Sequence, residues 1–222
     1  MIPVSAVLFD LYGTLLTYGN MREAFALWHQ DLTTAIVEAG GLVDLQTVAR
    51  NCEHFFSQSV TSDLKYTAYE ERLFLLAKEC GITPTLEWIK KTATTSMNNW
   101  QSKISLNPEA IPELQALRAK GIRTGVISNF DHHPHVYKVL QQTGLFHKLD
   151  AIIISGEVRL KKPDPQIFRL ALEKLNTAAT KTLFVGDDPE KDICGAKAIG
   201  MQTSLFQNGA SLSAILSPLE VS

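Results

Sequence analysis

Four short apolar runs, at residues 4–9, 124–127, 152–154 and 183–185, each end in small or acidic residues. Each gives way to a polar or glycine-containing turn and then to helical spacing, and a weaker fifth run lies at 203–206. Apolar strands that alternate with helices are buried on both faces, which requires a parallel sheet covered by helices on each side. The expected class is therefore α/β.

Residues 16–106 have another texture. Apolar residues recur there at helical spacing, as in Phe25, Trp28, Leu32 and Ile36, and again in Tyr69, Leu73, Leu76, Ala77 and Cys80. Asp44, Asp63 and Pro84 stand where helices would start, and Gly40, Gly41 and Gly81 where they would stop. With no comparable strand run in between, the segment is predicted to be a four-helix insertion between the first and second strands. A chain of 222 residues has room for one domain and such an insertion.

Charge and cysteine usage narrow the partners. Hydrophobic residues make up 45% and charged residues 20%, the balance of an ordinary globular protein. A net charge of -2 gives no reason to expect nucleic acid or an anionic membrane as partner. Cys52, Cys80 and Cys194 show neither metal-knuckle spacing nor a disulfide framework. The start has no basic segment and no cleavage site, and no run approaches 18 apolar residues, so the expected location is cytoplasmic.

Open parallel sheets bind ligands beyond the carboxyl ends of their strands, and each run ends there in residues with chemistry to offer. Asp10 leads into the Gly13-Thr14 turn, where it could also serve merely as a turn cap. Ser128 and Asn129 offer a hydroxyl and backbone N–H groups to a phosphoryl oxygen, though Ser-Asn is also common turn chemistry. Of Lys161 and Lys162, ahead of a proline-initiated helix, one held near Asp10 would neutralise clustered negative charge, and the other would be solvated. Asp187, Asp188 and Asp192 crowd a strand-to-helix turn. Their repulsion would be offset by a cation, and an all-oxygen site suits Mg²⁺. The plain alternative is a helix cap at Asp188 with Asp192 on a wet face.

Taken in order, these segments resemble the four motifs of the haloacid dehalogenase-like superfamily. They are Phe9-Asp10-Leu11-Tyr12-Gly13-Thr14-Leu15, Ile127-Ser128-Asn129, Lys162-Pro163-Asp164-Pro165-Gln166-Ile167-Phe168, and Gly186-Asp187 through Asp192 and Gly195-Ala196 to Gly200-Met201. The resemblance implies a Rossmann-like three-layer α/β/α core from residues 1–15 and 107–222, with an α-helical cap inserted as residues 16–106. It also implies roles. Asp10 would be the nucleophile and, with Asp187 and the Tyr12 carbonyl, a Mg²⁺ ligand, while Asp192 would order the metal loop. Thr14 would orient the Asp10 loop, Ser128 and Asn129 would hold phosphoryl oxygens, and Lys162 would pair with Asp10 and the transferring group.

One position departs from the phosphatase pattern, which places a second aspartate two residues after the nucleophile as acid and base. Here that residue is Tyr12, whose phenol can donate a proton at neutral pH but is a poor base. Tyrosine there resembles the L-2-haloacid dehalogenases, which need no metal. Those enzymes, however, carry serine and asparagine in place of the acidic cluster, and a tyrosine where this chain has Phe168. Their halide-binding arginine has no clear counterpart, with only His29 and Arg22 nearby. The expected function is a Mg²⁺-dependent phosphatase of a small phosphorylated metabolite, working through an aspartyl-phosphate on Asp10 and slowed by Tyr12. The alternatives are a 2-haloacid dehalogenase forming an aspartyl ester, and a weakly active or non-catalytic binding protein. The expected partner is a small molecule alone, with the chain a monomer or homodimer. His132 and His133 are expected at a solvated helix start, and Trp28, Trp88 and Trp100 in the cap core.

Overall fold

The apolar runs become the strands of a five-stranded parallel sheet. The structure, a computed structural model, describes residues 2–57, 66–207 and 209–221. Its strands are β1 (Ile2–Val4), β2 (Ala6–Phe9), β3 (Leu16–Tyr18), β4 (Ile104–Leu106), β5 (Arg123–Ser128), β6 (Ala151–Ile154), β7 (Thr182–Gly186), β8 (Gln202–Leu205) and β9 (Leu219–Val221). The chain divides into two units, Met1–Thr17 with Leu106–Ser222, and Tyr18–Ser105.

In the first unit the sheet order is β6-β5-β2-β7-β8. The central strand β2 is flanked by β5, with Phe9 opposite Val126, and by β7, with Phe9 opposite Val185. Every residue of β2 is buried, as expected of a strand covered on both faces. Alternate residues Ala6 and Leu8 join Ile127, Ile153, Phe184 and the helix residues Ile167 and Phe168 in one apolar cluster. Phe168 and Phe184 meet edge to face at 5.3 Å and 72°. The fifth run forms β8 and pairs with β7. Outside this sheet, β1 pairs with β9, and β3 pairs with β4 where the chain leaves and re-enters the unit.

The second unit holds α1 (Met21–Glu38), α2 (Leu45–Ser57), α3 (Ala68–Glu79) and α4 (Leu86–Gln101). Asn20 caps α1, Asp44 accepts from the Thr47 N–H at the start of α2, Thr67 and Glu70 form a capping box on α3, and Thr85 caps α4. The helix start expected at Asp63 lies outside the described residues. Trp28 is buried and donates to the Tyr69 hydroxyl, which also bonds to Ser96, so the polar ends of two aromatic residues are satisfied inside the unit. Trp88 and Trp100 are only half-buried. Phe25, expected on the apolar face, is 49% exposed, because α1 turns Ala24, Trp28, Leu32 and Ile36 inward and leaves Phe25 at the edge of that stripe.

Back in the first unit, α5 (Ala110–Ala119), α6 (His133–Gln142), α7 (Ser155–Val158) and α8 (Pro165–Lys174) connect the strands. His132 and His133 do begin α6, but the solvated placement expected for them is corrected. His132 is buried and the Nδ1 of His133 is shielded from solvent, because α6 packs its first turn against the loop after β5. His135, one turn in, is buried as well, and its pKa falls to about 4 through burial, helped by the charges of His132 and Lys138. Between about pH 6.5 and pH 4 the unfolded chain therefore binds a proton that the folded chain excludes, so stability falls as pH falls through that window. We expect a loss of about 3 kcal/mol from this residue across it. Urea denaturation at pH 7 and pH 4.5 should show His135→Phe to be less acid-sensitive than the wild type.

Candidate active site

Three strand ends and one loop converge. Asp10 follows β2 and extends its ladder by one bond, donating its N–H to the Val185 carbonyl at 2.9 Å. The chain then closes a tight loop, with Leu16 donating to the Leu11 carbonyl and Gly13 to that of Leu16. Gly13 adopts a φ of 105°, and a Cβ there would collide with the Asp187 carboxylate, so glycine is required twice over. Asn107 braces the loop from outside, its N–H on the Leu15 carbonyl and its amide on that of Thr14. Thr14 itself is fully buried, with a hydroxyl that has no hydrogen-bond partner.

Lys162 reaches into this corner from the loop before α8. It is 3% exposed, and its ammonium bonds to Asp10 Oδ1 and lies 2.7 Å from Asp192 Oδ1. Lys161 is exposed. Burial alone pulls the Lys162 pKa down, but Asp10 and Asp192 outweigh it and hold the ammonium above its ordinary range. The other Asp192 oxygen accepts from the Asp188 N–H at 3.1 Å. Asp192 therefore sits inside its turn, a π-helical stretch over Pro189–Cys194, rather than on a wet face. Gly186 makes this possible, since a Cβ there would collide with the Asp192 carboxylate. Asp188 caps the same stretch through the N–H groups of Glu190 and Lys191.

The electrostatics are lopsided. Oxygens of Asp10, Asp187 and Asp192 lie within 4.8 Å of one another, with one ammonium among them. Burial raises the Asp10 pKa to about 7, the Lys162 charge opposes the rise, and Asp192 and Asp187 add to it. Asp187 is raised too, by desolvation and then by Asp192. Asp10 Oδ2 is buried without a hydrogen bond. A buried carboxylate with an unused oxygen and too little positive charge nearby is an arrangement that a hard divalent cation would relieve.

Motif-two residues are placed differently from one another. Ser128 ends β5 and is buried. The carboxamide of Asn129 is occupied on both sides by Lys162. Its Nδ2 donates to the Lys162 carbonyl at 2.9 Å, and its Oδ1 accepts from the Lys162 N–H at 2.8 Å. Asn129 thereby fixes the main chain from which the ammonium extends, a part not foreseen for it. Tyr12 is 8% exposed, and its ring stacks on that of Phe130 at 5.0 Å and 19°. Sequence alone assigns Phe130 no role, because a ring after a Ser-Asn turn gives no signal of what it faces.

Removing the lysine should be costly even without any substrate. Lys162→Met leaves two buried carboxylates without their counter-charge, and we expect a loss of about 3–5 kcal/mol in chelator-treated protein at pH 7. Adding Asp192→Asn should recover part of it. Urea unfolding of both variants measures this, and a Lys162→Met protein as stable as wild type would contradict the charge balance described.

The family model for haloacid dehalogenase-like hydrolases matches residues 4–200. The chain is 35% identical over 215 residues to haloacid dehalogenase-like hydrolase domain-containing protein 3 of Danio rerio, covering 92% of this chain and 86% of that one. It is 27% identical over 207 residues to the glyceraldehyde 3-phosphate phosphatase of Methanopyrus kandleri, covering 93% and 85%. Its fold is similar to the 2-haloacid dehalogenase of Pseudomonas syringae, with a TM-score of 0.68 at 23% identity, covering 100% of this chain and 94% of that one.

Proposed function

The chain belongs to the haloacid dehalogenase-like hydrolases, and on that premise we propose that it is a Mg²⁺-dependent phosphatase acting on a small phosphorylated metabolite. The observation that carries the reading is the buried Asp10 carboxylate, one oxygen on Lys162 and the other unpartnered, facing Asp187 and Asp192 across an excess of negative charge. A dehalogenase that displaces halide from carbon has no use for such a cluster. The phosphatase relatives support the same side.

In this reading Asp10, Asp187 and the Tyr12 carbonyl would hold the ion, and Asp192 would order the turn that presents Asp187. The ion would supply positive charge to the phosphoryl oxygens and lower the Asp10 pKa again. Asp10 attacks phosphorus, an O–P bond forms at its carboxylate, and the bond to the ester oxygen breaks. Lys162 favours the ionised form of Asp10 and orients it, and with Ser128 meets charge developing on the phosphoryl group. Water then attacks the aspartyl-phosphate, releasing inorganic phosphate and restoring Asp10. The leaving alkoxide and the attacking water both need proton transfer, which Tyr12 serves poorly as a base. Activated aryl phosphates are therefore the better substrates. Residues 16–106, the α-helical cap of this proposal, carry the choice of substrate.

Two experiments test it. Asp10→Asn should fold normally and lose at least tenfold of the turnover of para-nitrophenyl phosphate, since a neutral amide cannot serve as this nucleophile. Full activity in that variant would end the reading, and halide release from 2-chloropropionate without metal would favour the dehalogenase alternative. Separately, a bound ion stabilises the native state by mass action, so millimolar Mg²⁺ should raise the melting temperature of the wild type and not that of Asp187→Ala.

A further inference from the structure

The ring of Tyr12 does not stand alone. Phe130, against which it stacks, lies in turn against His135 at 5.9 Å and 22°. Three elements thus contribute one ring each to a near-parallel column: the Asp10 loop, the loop after Ser128 and Asn129, and the first turn of α6. The core pair Phe168 and Phe184, by contrast, meets edge to face at 72°. Both outer rings are nearly closed to solvent, at 8% for Tyr12 and 5% for His135.

The middle ring is fixed through its own main chain. The Phe130 N–H donates to the Ser155 hydroxyl at 2.9 Å, and its carbonyl accepts from the Gly156 N–H at 3.0 Å. A Cβ at Gly156 would press on the Phe130 and Asp131 main chain, which ties the Ser155-Gly156 pair to this contact. One residue earlier, Asn129 is locked to the Lys162 main chain. The segment that locates Lys162 therefore also presents a flat ring to the side chain two residues past Asp10.

We propose that Phe130, backed by His135, is a positioning residue that holds the Tyr12 ring, and through it the Asp10 loop, in register with Ser128 and Lys162. The proposal rests on the reading of Asp10 as nucleophile. Burial keeps His135 neutral at pH 7, so the column closes on an uncharged ring. Tyrosine at this position is then more than a missing acid and base, because its aromatic face couples the nucleophile loop to the neighbouring strand end. A misplacement of the reacting groups by about 1 Å is enough to cost one to two orders of magnitude in rate.

A double-mutant cycle on kcat tests this, using para-nitrophenyl phosphate with Mg²⁺ and the variants Tyr12→Leu, Phe130→Leu and their combination. Phe130→Leu keeps apolar bulk but removes the ring, and we expect kcat to fall about tenfold with KM within about twofold. Phe130→Tyr and His135→Phe, which retain rings, should keep most of the activity. The combined variant should be no slower than Tyr12→Leu alone, since Phe130 acts through Tyr12. A Phe130→Leu protein with wild-type kcat, or losses that multiply in the combination, would overturn the proposal. Should Phe130→Leu fail to fold, His135→Leu makes the same comparison from the far side of the column. Incorporated 3-fluorotyrosine gives a readout free of turnover. Among the five tyrosine resonances, the one absent in Tyr12→Leu should shift when Phe130 loses its ring. A resonance that stays put would mean that the stack does not hold Tyr12. The Asp10→Asn control keeps the two ideas apart: turnover surviving there sinks the nucleophile, whereas turnover lost there but intact in Phe130→Leu sinks only the column.

Discussion

One ammonium between buried carboxylates organises the first unit. Lys162 is far from both partners along the chain, 152 residues from Asp10, so its contacts exist only once β2, β7 and the loop before α8 have all come together. Each carboxylate would be untenable in that place without the lysine, and the lysine without them. The surrounding architecture serves this exchange of charge. Gly13 and Gly186 leave room for the carboxylates of Asp187 and Asp192, and Asn129 holds the main chain from which the ammonium extends. Even so, burial pushes Asp10 towards neutrality against the pull of Lys162, Asp192 and Asp187 add to the rise, and a metal ion would relieve the proposed site.

Much of this was legible in the chain because strand ends are legible. A run of apolar residues on both faces marks a buried parallel strand, and the residues just after that run must lie at the sheet's carboxyl edge. Asp10, Ser128 and Asp187 could be placed by that rule alone, whereas Lys162 was preferred over Lys161 only because the family resemblance implies the lysine immediately before the proline. The division of the chain into strand-bearing and helical stretches came from periodicity in the same way.

What stayed illegible depends on contacts that leave no periodic trace. Asn129 spends its carboxamide on the main chain of a residue 33 positions away, and main-chain partners cannot be read from side-chain letters. His132 carries a polar name into a buried place because α6 packs its first turn inward. Phe25 has the spacing of a core residue yet lies just outside the buried stripe, where a shift of one position around a helix moves a side chain by about 100°. The short pairings of β1 with β9 and β3 with β4 span three residues each, too brief for alternation to register.

The pairing of β3 with β4 also bears on how such a chain can diversify. Paired strands run about 4.8 Å apart, so the two ends of the intervening segment Tyr18–Ser105 are tethered side by side. Any insert whose own termini lie that close could be carried on the same two strands without changing the span the rest of the chain must bridge. The junction is thus a modular socket, at which one insert can be exchanged for another while the strands that carry Asp10 and its neighbours keep their pairing.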